Sequence, residues 1–431
     1  MGNICCLGRE KPSFEASSNT ALPARSVENV VLLRRPAPPQ PPGLKEALAS
    51  ETACKGTTGE SEKPDLKEAL ASETASKSTT DEAEKTARTS VSTEAETPDL
   101  KEAAASVSDQ KALAEPNAKA LTQEALDEVF STQALFFVRG LMSKGQRSGE
   151  EREWAAFGDA GPFQPDMISC QKGDKGKASE PNQDNFSITR LSNGYSLAVI
   201  CDGHGKKGHQ AATRAAQSIP FFVMQLALDG EQVEEAILEK ALISAFEKAD
   251  EDLQQHAAYA ESGCTAVAAL WTGRKVWTAH TGDSRCLLLK DQQVIFSTED
   301  HKPSCVQERR RVEESGGEVR SLSSDDVPRV FFPGQIRPGL AMTRALGDNS
   351  AKGCGIIATP QVHHTCMDMG QAAIVLASDG VWEVVQDHEV PALVCESFDT
   401  AKLQSEALTR WASLTGGQYR DDVTSIVVPL I

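Results

Sequence analysis

Lys275-Val-Trp-Thr-Ala-His-Thr281, then Gly282-Asp283-Ser284, then Arg285-Cys-Leu-Leu-Leu289, is the stretch on which the fold turns. Two runs rich in β-branched, aromatic and aliphatic residues are parted by three small polar ones, which reads as two strands and a tight turn. The spacing predicts a hairpin, and therefore antiparallel pairing. Working outward, similar apolar runs at 195–201, 265–271, 372–377 and 423–428 predict further strands. Long helical patterns fall near 210–228 and 232–257, with shorter ones near 304–315, 388–397 and 400–414. Hairpins followed by paired helices predict an α+β fold of antiparallel sheets with helices outside, not a doubly wound parallel sheet.

The first 120 residues are of another kind. A proline cluster at 36–42 precedes a region rich in Ala, Glu, Lys, Ser and Thr, almost without aromatics. Within it the ten residues Leu44–Ala53 recur as Leu66–Ala75, and a degraded copy begins at Leu100. The unequal spacing does not suit a stacked solenoid, and there is too little apolar surface to offset ordering entropy. A disordered N-terminal tail (1–120) with transient helices is expected, a partner-docking repeat being the alternative. Residues 121–147 form an amphipathic helical segment by spacing: Leu121, Ala125, Val129 and Phe130 recur at helical intervals and Leu135 to Leu141 continue the apolar run. A helix capping the globular domain is expected there, with a membrane-surface or partner helix as the other reading. The catalytic domain is expected over 165–431.

Of 431 residues, 39% are hydrophobic and 25% charged, which suits a chain with a real core. No run approaches the ~20 apolar residues that span a bilayer. A formal net charge of −18 argues against nucleic acid as a partner, because that binding needs Lys and Arg against phosphates. The 11 cysteines are odd in number and irregularly spaced, with no C-x-x-C pair, and read as reduced thiols rather than a disulfide framework or a zinc site.

Acidic residues recur where strands end in small turns. Asp202-Gly203-His204-Gly205 follows the run ending at Cys201, and Asp379-Gly380 follows Ala373–Ser378. Asp421-Asp422 precedes the last strand, Asp283 lies in the turn first quoted, and Asp184 follows Asn182-Gln183. Any one Asp-Gly is ordinarily just a turn. As a set, carboxylates on separate loops can enclose hard divalent cations, for which all-oxygen sites suit Mg²⁺ or Mn²⁺.

The ordered set resembles the type 2C family of metal-dependent protein serine/threonine phosphatases, over roughly 165–431. It is carried by Asn182–Asn185, Val199–Gly205, Ser262–Ala266, Thr281–Arg285, Glu299–Pro303, Glu308–Arg311, Leu340–Asp348, Leu376–Trp382 and Arg420–Thr424, in family order. The resemblance implies a four-layer α-β-β-α sandwich of two antiparallel sheets flanked by helices. It implies Mn²⁺ or Mg²⁺, two per site with a third as a further option, and phosphorylated proteins as substrates of a monomer. Asp202 would bridge both ions, the Gly203 carbonyl would bind one, and Asp379 and Asp421 would hold the other. A water activated between the ions would attack phosphorus, with His204 as general acid toward the leaving oxygen. Asp184, Asp283 and Glu383 would lie outside the two-metal core or hold a third ion.

Three departures stand out. Ser179 occupies the place of an arginine that helps hold phosphate in many members, and Lys175 and Lys177, in a lysine-glycine segment like that of plant members, are candidate replacements. Glu383 stands where aspartate is usual, and Asp422 where asparagine is usual, adding a negative charge expected to tighten cation binding or raise a neighbouring acid. Finally, Met1-Gly2-Asn3-Ile4-Cys5-Cys6 resembles a dual acylation signal, with myristate on Gly2 and palmitate on Cys5 and Cys6, although Cys6 replaces the preferred Ser or Thr. That places the protein on the cytoplasmic face of a membrane, or in the cytoplasm if it is not acylated.

Overall fold

The computed structural model describes residues 121–431 except 144–145, 160–162, 177–178, 229–232, 323–325, 369 and 431. The expectations for the tail, Gly2, Cys5, Cys6 and Lys177 lie outside the described residues.

In chain order the strands are β1 (Ala134–Gly140), β2 (Trp154–Gly158), β3 (Ile168–Gln171), β4 (Asn185–Leu191), β5 (Ser196–Cys201) and β6 (Gly203–Gly205). Next come β7 (Ser262–Cys264), β8 (Ala266–Thr272), β9 (Lys275–Thr281), β10 (Arg285–Lys290), β11 (Gln293–Ser297) and β12 (Glu318–Ser321). The last are β13 (Pro328–Phe331), β14 (Pro338–Leu340), β15 (Leu346–Gly347), β16 (Gln361–Cys366), β17 (Ala372–Ala377) and β18 (Val423–Leu430). The helices are α1 (Gln123–Gln133), α2 (Gly208–Ala227), α3 (Leu238–Gln254), α4 (Val306–Glu314), α5 (Asp379–Trp382), α6 (Val390–Val394) and α7 (Ala401–Thr415).

A seven-stranded sheet runs β16-β9-β8-β5-β4-β1-β2 and a five-stranded one β11-β10-β17-β18-β3, all neighbours antiparallel. Strand alternation shows how they stack. Along β5, Ala198 and Ile200 enter the core shared with Leu288, Leu376 and Ile426 of the second sheet, while Leu197 and Val199 face α2 and α3. Along β17, Ile374 and Leu376 point into that same core, and Ala373, Val375 and Ala377 meet Val394, Leu403 and Trp411. Helices therefore cover the outer face of each sheet. The four-layer α-β-β-α sandwich expected from the resemblance is the fold.

Two expectations fail. The helix predicted through 147 ends at Gln133, and Ala134–Gly140 is instead β1, paired with both β4 and β2. Phe136 and Val138 pack between the sheets, so the sandwich starts well before residue 165. A strand buried on both faces reads as an unbroken apolar run, and periodicity alone cannot separate that from a buried helix. The quoted stretch is also not a hairpin. β9 pairs with β8 and β16 in the first sheet, whereas β10 pairs with β11 and β17 in the second. Gly282-Asp283-Ser284 is a crossover between layers, tied by a 2.7 Å hydrogen bond between the Ser284 and Thr265 hydroxyls. The antiparallel inference survives because other neighbours make it true: β4 with β5, β8 with β9 and β10 with β11 are consecutive pairs.

Candidate active site

The sheet directions gather the acidic turns at one end. Asp202 follows β5, and Asp184 precedes β4, its antiparallel neighbour, whose Asn185 is opposite Cys201. β9 is antiparallel to β8 and β8 to β5, so β9 ends at the same rim, with Asp283 just beyond it. In the second sheet Asp379 follows β17 and Asp421-Asp422 precede its antiparallel partner β18, with Ala377 opposite Ser425. The Asp-Gly doublets have a packing reason. A Cβ on Gly380 would lie 1.9 Å from the Asp422 carbonyl oxygen, and one on Gly203 2.3 Å from that of Gly208. Glycine lets these backbones touch and so brings the adjoining carboxylates together.

Hydrogen bonds then join the two sheets across the rim. Ser378 Oγ donates to Asp184 Oδ2 at 2.7 Å. Asp422, buried at the start of β18, accepts from the Gly173 amide at 2.7 Å and from the Gln183 amide at 3.0 Å. The aspartate in place of asparagine is thus a clamp on the loop before β4. Its charge acts on Asp184: burial first, then Asp422, pushes the Asp184 acid up to about 6.

Burial and neighbouring carboxylates raise Asp202, Asp379 and Asp283 as well. Asp202 is held well above the ordinary carboxyl range by desolvation and by Asp184, Asp379 and Asp421. Asp379 is raised by desolvation and by Asp421, Asp283 and Glu383. Asp283 is raised chiefly by burial, against the opposing charge of Lys302. Two ammonium groups lie against these carboxylates. Lys175 Nζ is 2.5 Å from Asp421 Oδ1 and 3.1 Å from Asp422 Oδ2, and Lys302 Nζ is 3.6 Å from Asp283 Oδ2. Tyr419 donates its hydroxyl to Asp421 Oδ2 at 2.9 Å. Glu383 caps α5, its amide donating to the Asp379 carbonyl at 2.8 Å, and its side chain is exposed.

Among the described residues, no three His, Cys, Asp or Glu side chains close around one point as a held ion demands. The donor set still suits a hard cation. Every acidic group at the rim offers oxygen, and the buried atoms Asp184 Oδ1, Asp283 Oδ1 and Asp379 Oδ1 accept no hydrogen bond. A buried acceptor without a partner costs about 1–3 kcal/mol, more for a charged group, and a divalent cation removes that cost and the repulsion together.

Beside this cluster His204 Nε2 lies 2.5 Å from Asp348 Oδ2. Burial alone would depress the imidazole, but the Asp348 carboxylate outweighs it and raises His204 above its ordinary value. Asp348 is a member of this site that sequence reasoning passed over, although it ends the segment Leu340–Asp348. A left-handed backbone (φ 49°) and an amide donated to the Ser262 carbonyl at 3.0 Å hold it in place. Of the candidate phosphate-binding lysines, Lys175 reaches the rim as the counter-ion of Asp421 and Asp422 rather than as a solvated loop residue.

A family model described as Protein phosphatase 2C matches residues 176–416. The chain belongs to the protein phosphatase 2C family. Relatives in this family include "Probable protein phosphatase 2C 64" of Oryza sativa subsp. japonica, 34% identical over 270 residues that cover 59% of this chain and 62% of the relative. "Probable protein phosphatase 2C 10" of Arabidopsis thaliana is 33% identical, with 59% of this chain and 86% of the relative covered. The chain spans under two thirds of two of the rice relatives, 62% and 64% of their lengths. The solved serine-threonine phosphatase 2C from Toxoplasma gondii shares the fold at TM-score 0.53 and 17% identity, covering 68% of this chain and 99% of that one.

Proposed function

We propose that this chain is a Mn²⁺- or Mg²⁺-dependent phosphatase that hydrolyses phosphoserine and phosphothreonine in proteins, acting as a monomer. The observation that carries the reading is the set Asp202, Asp379 and Asp421 gathered from both sheets beside the His204–Asp348 pair. Asp202, the Gly203 carbonyl, Asp379 and Asp421 would hold two divalent cations, with Asp184, Asp283 and Glu383 around them or on a third. Bound there, such cations supply the Lewis acidity that makes water a nucleophile at neutral pH and neutralises the phosphoryl oxygens.

The remaining work falls to the protein. His204 carries the proton destined for the leaving serine or threonine oxygen, a transfer typically worth 10²–10⁴-fold. Asp348 takes Nε2–H, keeps the ring charged and leaves Nδ1–H as its other donor. Ser179 brings no guanidinium to the phosphate, so anion capture is assigned to Lys175, and to Lys177 beyond the described residues. The test is hydrolysis of a phosphothreonine peptide with Mn²⁺: chelator and Asp379→Ala should each abolish it. Equal rates for wild type and Asp379→Ala would sink the assignment.

We also infer that the chain is tethered to the cytoplasmic face of a membrane by myristate on Gly2 and palmitate on Cys5 and Cys6. Supporting this, a single myristoyl chain binds only marginally and needs a second signal, which two adjacent cysteines provide. No helix among the described residues is long and apolar enough to cross a membrane.

A further inference from the structure

His204 does not face open solvent alone. Together with Asp348 it forms part of the wall of a cavity of about 500 Å³, which is otherwise lined mainly by residues of β13, the loop after it, β14 and the chain that follows. Phe332, Leu340 and Met342 supply the apolar wall. All three are half-buried because they rest on a separate small core of Val312, Val330, Ala345 and Ile356. The wall is therefore built before any ligand arrives, which lowers the ordering cost of binding. The volume lies inside the roughly 300–1,000 Å³ of ligand clefts.

The charges at its mouth are already engaged. The Arg337 guanidinium pairs with Glu261, and Arg329 Nη1 donates to the Gly339 carbonyl at 3.3 Å. More of the surface that lines the cavity is apolar than polar.

Its position relates it to the leaving group. In the proposed reaction His204 protonates the substrate's own serine or threonine oxygen, which is separated from the substrate backbone only by Cβ. Neighbouring Cα atoms follow at 3.8 Å. Whatever lines the approach to His204 must then meet the residues flanking the phosphorylated one.

We propose that this cavity receives an apolar side chain adjoining the phosphorylated residue, making Phe332, Leu340 and Met342 determinants of substrate choice. The inference rests on the phosphatase reading. The experiment uses the full chain with Mn²⁺ and three phosphothreonine peptides that differ only in carrying Leu, Gly or Asp on both sides of the phosphothreonine. p-Nitrophenyl phosphate, which has no flanking residue, reports the chemistry separately. The Leu peptide should exceed the Gly peptide in kcat/KM by roughly tenfold, the low end for an apolar contact. Phe332→Ala and Met342→Ala, checked for folding by thermal melting, should bring that ratio toward one. Equal turnover of the Leu and Gly peptides, or preference for Asp, overturns the proposal even if the variants never fold. Failure to hydrolyse p-nitrophenyl phosphate and all peptides would count against the phosphatase reading instead. The cavity is then judged by fluorescence anisotropy of the same peptides, where equal Leu and Gly affinities overturn it.

Discussion

His204 Nε2 and Asp348 Oδ2 stand 2.5 Å apart although 144 residues separate them in sequence, and Asp348 is almost wholly buried. A buried carboxylate on one nitrogen keeps imidazole protonated and aims the other. Asp348→Asn should lower kcat on phosphopeptides by about 10- to 100-fold, part of the full acid contribution, with little change in KM. The loss should be much smaller with p-nitrophenyl phosphate, whose leaving group departs without a proton. Equal losses on both substrates would mean that Asp348 only supports the fold.

Asp379→Asn removes one charge from a group of mutually repelling carboxylates. Turnover with Mn²⁺ should fall on the order of 10³-fold, since a lost cation site forfeits several kcal/mol of transition-state stabilisation. Melting in chelator should not drop, and a rise is expected from the relieved repulsion. A large fall in Tm in chelator would show that Asp379 serves packing rather than cation binding.

Lys175→Gln takes a cation away from Asp421 and Asp422. Divalent binding measured by calorimetry should tighten, by roughly tenfold at most, because a partly exposed pair contributes on the order of 1 kcal/mol. Stability in chelator should fall and KM for a phosphopeptide should rise. Unchanged cation affinity would show that the ammonium does not compete at this site.

Glu308 joins α4 to the segment that ends in Asp348. It accepts from Arg344 Nη2 at 2.6 Å, Thr343 Oγ1 at 2.6 Å and Arg311 Nη2 at 2.7 Å. Burial by itself would raise this acid, but those hydrogen bonds outweigh it and hold the carboxyl well below its ordinary value of 4.5. The sign follows from linkage: the depressed folded value gives stability that is present above pH 4.5 and lost as pH falls below it. Glu308→Gln should cost about 2 kcal/mol at neutral pH, because the half-buried guanidinium groups of Arg311 and Arg344 lose their charged hydrogen-bond acceptor. The Tm gap to wild type should narrow as melts are run at successively lower pH below 4.5. A gap that stays constant would rule the ion pair out as the source.

Gly2→Ala should move the protein from membrane to soluble fractions. Cys5→Ser with Cys6→Ser should leave weak, reversible association near the ~10⁴ M⁻¹ of one myristoyl chain. Full pelleting of the Gly2→Ala protein with membranes would exclude the proposed anchor.

What sequence alone determined about this chain is local: apolar runs of strand length, helical periods, and acidic residues at strand ends beside glycine. The acidic set Asp184, Asp202, Asp283, Asp379 and Asp421 was legible from its place at strand ends and from the family resemblance of the motifs that carry it, and antiparallel pairing sets those ends at one rim within each sheet. Tertiary structure alone decided the rest. Periodicity reports which residues are buried but not against what, so Ala134–Gly140 looked like more helix until β4 and β2 closed on it. Turn chemistry reports that the chain bends but not into which layer it goes, so Gly282-Asp283-Ser284 looked like a hairpin when it passes from one sheet to the other. The partnerships of His204 with Asp348, Lys175 with Asp421 and Asp422, and Ser378 with Asp184 join residues far apart in the chain. Their attraction is set by distance and by a shared, water-poor environment, and both exist only once the two sheets have packed.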